Sequence, residues 1–249
     1  MISLIDHPIA LFAVLSTALL IVEELGYRAA QRIYANAREE LHDEIAAVRD
    51  AIGVLLSLLL AFTLAMVLTR YDSRKQLIVD EANAIGTTRL RAQMLPDPFR
   101  SEILALLQRY LDARMRFSEA GFDQEKLSAS YTQAKGLLDE MWKQSITVAQ
   151  QSPTPITSIF VQALNETTDL NERRLAALEN RIPGALWLVL LFISTLTCLL
   201  VGCSFRRRAY PLILVWPLMI SIVLALSADL DSPQTGLIQI GQQSIERLR

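Results

Sequence analysis

The sequence predicts an all-α membrane protein: four transmembrane helices with a helical extramembrane insert between spans 2 and 3. Three observations lead there. Of 249 residues, 52% are hydrophobic, while Gly and Pro number only nine each. Mean hydropathy is +0.31, and four long stretches carry no charge. No apolar–polar alternation persists beyond four residues, so strands are not expected.

A bilayer crossing takes roughly 17–25 apolar residues. Ala51–Thr69 supplies nineteen uncharged residues, Ile182–Phe205 twenty-four and Ala209–Ala228 twenty, each bounded by charge. His7–Val22 supplies sixteen and stops at Glu23-Glu24. It reads as a retained span, since no basic residue precedes it and no small-x-small cleavage site is evident. None of the four runs contains a charge, so no intramembrane relay is expected. After the first span, Tyr27, Ala30, Tyr34, Ala37, Leu41, Ile45, Val48 and Ile52 recur at heptad-like spacing. That spacing predicts a helical hairpin returning as the second span, or a solvated linker helix packed on its neighbours. Residues 1–70 thus form spans 1 and 2 with their linker, 71–181 the insert, 182–228 spans 3 and 4, and 229–249 a C-terminal turn and short helix.

Within the insert, the second span continues as a helix carrying a stripe of Leu77, Glu81, Ile85 and Thr88. Pro96-Asp97-Pro98 ends it, because proline restricts both itself and the preceding residue. The next helix carries Ile103, Leu106, Leu107, Tyr110 and Leu111 on one side. Gly121 punctuates, and Asp123 is placed to cap a third helix running towards Gln150. Thr154 with Pro155 predicts the cap and first position of a fourth, which runs to Arg181. Pro183-Gly184 marks the start of the third span.

Glu81 lies on an apolar stripe, so it faces other helices and needs a partner. Arg89 and Arg91 are its nearest basic residues in sequence. Asn83, flanked by Ala82 and Ala84, allows close helix approach with hydrogen bonds in the core or between subunits. The favoured role for Glu81 is a structural hydrogen bond, the other being a pH-sensitive or ion-contacting ring. Asp231-Ser232-Pro233 with Gly236 reads as a turn, in which the Asp side chain bonds back to the backbone.

Other chemistry is poorly represented. Net charge is −2, which gives no footprint for nucleic acid. Cys198 and Cys203, five residues apart, point to different faces of a helix, which argues against a disulfide or shared metal. His7 and His42 have no Cys or His at ligand spacing, so neither metal nor cofactor is expected. There is no Gly-rich phosphate loop, no Gly-x-Ser-x-Gly elbow and no His-Glu-x-x-His, and the chain is not expected to be an enzyme. Basic residues near the spans divide seven to six between the two possible orientations, which leaves orientation open.

Several segments carry a resemblance. LAFTLAMVLTRYDSRK (60–75) looks like the second transmembrane helix of bestrophins, where an apolar helix runs through Thr-Arg-aromatic into the cytosol. RSEILALLQRYLDAR (100–114) is similar to the bestrophin helix bearing an Arg-Tyr pair. DLDSPQTGLIQIGQQSIERL (229–248) resembles the acidic segment after the last bestrophin span. EANAIGTTRLRAQMLPDP (81–98) looks like the signature of the bacterial bestrophin-like family.

The resemblance implies a bestrophin-like homo-oligomer, pentameric in bestrophins, with one axial pore for inorganic anions across the lipid bilayer. It implies N- and C-termini in the cytosol and a multi-pass place in a bacterial inner membrane. Carried over by position, the pore neck falls on Val54, Leu58 and Phe62, one helical face that would stack three apolar rings. Arg70 and Arg74, one turn apart, would form a basic pore mouth. The aromatic stretch that usually follows is replaced here by Asp72-Ser73-Arg74. The acidic calcium cluster of animal bestrophins has no counterpart beyond Asp229, Asp231 and Glu246, so calcium gating by that route is not expected. The competing reading is a non-conducting scaffold or sensor whose insert binds a cytosolic partner.

Overall fold

A computed structural model describes residues 7–33, 40–119, 124–205, 210–232, 236–238 and 240–248. The fold is all-α, with no strand among these residues. The helices are α1 (Pro8–Ile33), α2 (Glu40–Ala92), α3 (Phe99–Glu119), α4 (Gln124–Gln151), α5 (Pro155–Glu179), α6 (Gly184–Ser204), α7 (Tyr210–Asp231) and α8 (Gln243–Glu246). They divide into two compact units: Met1–Arg70 with Arg181–Ile238, and Tyr71–Asn180 with Gln239–Arg249.

The first unit holds α1, the first part of α2, α6 and α7. Each of its four helices contains a stretch long and apolar enough to cross a bilayer, and the protein is an integral membrane protein. Leu19, Leu56, Leu60, Leu190, Cys198, Ile220 and Leu224, drawn from all four helices, form its core. α1 packs on both α6 and α7. Two glycines set the α1–α6 spacing. A methyl at Gly26 would overlap the Leu199 carbonyl, and one at Gly202 would overlap the Glu23 carbonyl. Small residues that let two backbones touch are a common device for helix association in lipid. The Cys203 thiol adds a bond to the Gly26 carbonyl at 3.3 Å.

Helix α1 is longer than the uncharged run it carries. α1 continues without a break past Val22 to Ile33 and carries Glu23 into the packed helix face. The four uncharged runs remain free of charge, but the helix that carries the first of them extends beyond it and buries Glu23 just past the run's end.

The second unit comprises the remainder of α2 with α3, α4, α5 and α8. Its core gathers Ile78, Ile85, Ile103, Leu107, Tyr110, Met141 and Phe160, among others. Burying each such side chain is worth about 1.5–3 kcal/mol. α2 ends at Ala92 and α3 begins at Phe99, on either side of the two prolines that cannot continue a helix. At α5, the Thr154 side chain accepts a bond from the Thr157 amide at 3.2 Å, and Pro155 occupies the first turn. The helix stops at Glu179, two residues before the expected Arg181. Gly121 and Asp123, the punctuation expected before α4, lie outside the described residues.

Candidate functional site

Within the first unit, α2 has two unlike faces. Gly53, Leu56, Leu60, Thr63 and Val67 are buried against neighbouring helices. Val54, Leu58 and Phe62, four residues apart, form a row on the other side and are 71%, 51% and 62% exposed. Nothing in the protomer covers that row, and no charge interrupts it between Ala51 and Thr69. The geometry follows from helix periodicity, since residues at i and i+4 fall one above another.

Arg70 sits at the end of this span. Its guanidinium lies 3.6 Å from the Asp231 carboxylate, and both side chains are largely buried. Asp231, at the end of α7, also accepts the Ile182 amide at 3.1 and 3.2 Å on its two oxygens. It thereby satisfies a backbone donor just before α6. Asp229, two residues earlier, accepts the Leu237 and Ile238 amides at 2.8 and 3.1 Å. Gly236 completes this turn with a φ of 120°, and a methyl there would collide with the Asp229 carboxylate. Pro233, expected in the same turn, lies outside the described residues, as do Arg206–Arg208.

In the second unit, Arg74 is 4% exposed. Its guanidinium donates to the carbonyls of Ala177 and Asn180 at 3.1 and 3.2 Å, at the C-terminal end of α5. A cation there meets the negative end of the helix dipole. The side chain is therefore engaged inside the protomer rather than held out to solvent.

Glu81 is fully buried at the centre of a charged cluster. The Tyr110 hydroxyl donates to Oε1 at 2.8 Å, and Arg114 Nε lies 2.9 Å from the same oxygen. Arg114 also donates to Oε2 at 3.2 Å, and Arg174 pairs with that oxygen. Arg174 reaches on to Gln242 Oε1 at 3.4 Å. Burial alone would push the Glu81 carboxyl up, but the two guanidiniums reverse this and hold it at about 2. Burial, and then the Glu81 charge, push the Tyr110 phenol well above its ordinary value, so it stays a donor. The cluster ties α2 to α3 and α5 within this unit.

The partners are not those nearest in sequence. Arg89 donates to the Leu248 carbonyl at 2.8 Å and Arg91 to the Ile159 carbonyl at 2.7 Å. Eight residues along a helix is a separation of roughly 12 Å, too far for Arg89 to meet Glu81. Arg114 and Arg174 escaped sequence reasoning, although one signal was present. Arg114 follows Tyr110 by four residues, so it extends the buried stripe of α3. Asn83, by contrast, is exposed and lines a cleft of about 460 Å³ with Asp80, Thr87, Arg91, Glu166 and Arg173. Among the described residues no group of three or more His, Cys, Asp or Glu is arranged to hold a metal.

Comparison with known proteins agrees with this architecture. Residues 17–245 match the family model of the Bestrophin-like domain. A crystal structure of a bacterial bestrophin homolog from Klebsiella pneumoniae, a point mutant, superposes with a TM-score of 0.64 at 14% identity. The superposition covers 92% of this chain and 94% of that one, a likeness of fold. No curated protein sequence matches significantly.

Proposed function

The chain belongs to the bestrophin-like family, and on that premise we propose that it forms a homo-oligomeric channel for inorganic anions. Five copies surround one axis, as in bestrophins, and α2 of each lines the path. The observation that carries this reading is the uncovered row of Val54, Leu58 and Phe62 on an uncharged span. Repeated around an axis, the row makes three stacked apolar rings. A narrow apolar tube sheds water and conducts poorly until it is widened, so the rings act as a gate. Arg70 and Arg74 are the mouth residues of this proposal. Because Arg70 lies near Asp231 and Arg74 is engaged by carbonyls, their outward field is weak. A modest anion preference follows. The insert and both termini face the cytosol of a bacterial inner membrane.

The test is reconstitution of the full chain into planar bilayers. Wild-type protein should pass anion-selective current, and Phe62→Ala should raise it by opening the narrowest ring. Silent membrane patches for both proteins, or a density map with this α2 face turned to lipid, would defeat the proposal.

The cleft beside Asn83 favours a second reading, a non-conducting scaffold or sensor whose insert binds a cytosolic partner. It offers charges of both signs and an amide on one surface. Under that reading, neck substitutions are without effect, while Asn83→Leu with Glu166→Lys abolishes partner recovery.

A further inference from the structure

Glu23 is the buried acid that the proposed channel does not use. It is 1% exposed, and neither of its carboxylate oxygens has a hydrogen-bond partner. Its backbone carbonyl abuts Gly202, at the tight crossing of α1 and α6. Cys198, fully buried on α6, is near enough to interact electrostatically with the carboxyl.

Ionisable neighbours are few. α6 offers only Cys198 and Cys203, and the latter is bonded to the Gly26 carbonyl. On α1 itself, Glu24 is paired with Arg28 at 2.7 Å, and Tyr27 is the other titratable group close by. α7 has none between Pro211 and Ala228, and α2 has none between Ala51 and Thr69. Among the described residues no cation reaches Glu23.

The surrounding core is dotted with further unsatisfied oxygens. The hydroxyls of Ser16, Ser194 and Ser221 are buried without partners. Ser16 lies two turns before Glu23 on α1, with Leu19 between them. Ser194 lies one turn before Cys198, and Ser221 adjoins Ile220. Leu19, Cys198 and Ile220 belong to one cluster, so these polar groups punctuate a single apolar core. Buried polar atoms almost always find a partner, and an ionised carboxylate in an apolar bundle requires neutralisation. Here the protein supplies oxygens but no positive charge.

We infer that Glu23 is an intramembrane binding site for a small monovalent cation, a proton or a dehydrated alkali ion, at the α1–α6 crossing. The site lies inside the protomer, so the inference stands or falls separately from axial conduction.

The test uses the full-length protein in lipid vesicles, first in choline buffer and then with sodium chloride or potassium chloride at equal ionic strength. Infrared difference spectra of wild type should show the carbonyl stretch of a protonated carboxyl in choline, lost in Glu23→Gln; this identifies the proton. Alternatively, sodium or potassium should raise the thermal unfolding midpoint of wild type but not of E23Q; this identifies the alkali ion. The wild-type measurements need no variant to fold, and E23Q keeps the shape of the side chain. If wild type shows neither a protonated-carboxyl band sensitive to E23Q nor a cation-dependent midpoint, the inference is overturned.

Discussion

The Tyr110 hydroxyl stands 2.8 Å from Oε1 of Glu81, and both residues are completely buried. Tyr110 belongs to the stripe by which α3 packs, and Glu81 to the stripe by which α2 packs. Their contact turns two apolar faces into one polar joint, completed by Arg114 and Arg174. That joint makes the second unit sensitive to acid. The Glu81 carboxyl lies at about 2 in the folded chain against an ordinary 4.5. A group lowered on folding stabilises above its unfolded value, and the contribution is lost as pH falls through the folded one. The window therefore runs from 4.5 down to about 2, and the contribution is about 3 kcal/mol. Thermal unfolding in detergent should show a midpoint that drops across this window in wild type and drops less in E81Q. Equal slopes would remove Glu81 as the source.

At neutral pH, Glu81→Gln strands two buried guanidiniums. Breaking a buried ion pair in this way costs about 3–5 kcal/mol. Adding Arg174→Met should recover part of the loss, because the second change removes a charge already left without its partner. The measurement is a double-mutant cycle on the unfolding midpoint, and strictly additive losses would show the residues to be uncoupled.

The Thr154 hydroxyl caps the start of α5. Thr154→Ala removes the acceptor of the Thr157 amide and should cost about 1 kcal/mol, whereas Thr154→Ser should be nearly neutral. Chemical denaturation of the two variants side by side separates cap loss from a general effect at this position.

Two glycines should respond in opposite directions to the same substitution. Gly202→Ala drives a methyl into the Glu23 carbonyl and should lose about 1–3 kcal/mol as α1 and α6 separate. Gly136, inside α4, has nothing within 4 Å of the added carbon. Gly136→Ala should gain about 0.5–1 kcal/mol from helix propensity. Melting curves of the purified variants give the signs directly.

Two leucines two positions apart on α2 should also part company. Leu56 is 1% exposed in the core of the first unit, so Leu56→Ala should cost about 2–5 kcal/mol. Leu58 lies in the uncovered row, and Leu58→Ala should leave protomer stability within about 0.5 kcal/mol. Any large effect of Leu58→Ala should fall on conductance or subunit association, readable by native mass spectrometry. A protomer destabilised equally by both changes would mean that the row is covered from within the chain.

Much of the architecture was legible in the order of residues. Uncharged runs marked the four helices long and apolar enough to cross a bilayer, because a bilayer admits little else over such lengths. Pro96 and Pro98, then Thr154 with Pro155, marked helix boundaries through local chemistry that needs no distant partner. The same reasoning set Val54, Leu58 and Phe62 on one face, since helix periodicity is a property of neighbouring residues. Tertiary structure decided the rest. Glu81 could be seen to need a counter-charge, but Arg114 and Arg174 lie 33 and 93 residues away, and only the packing of α3 and α5 brings them in. Arg74 looked like a free cation until the end of α5 met it. Glu23 closed an uncharged run in sequence, and only the packing of α1 against α6 showed it to be buried. Periodicity and breakers act within a few turns of one helix, whereas the pairing of a buried charge depends on which helices fold against it.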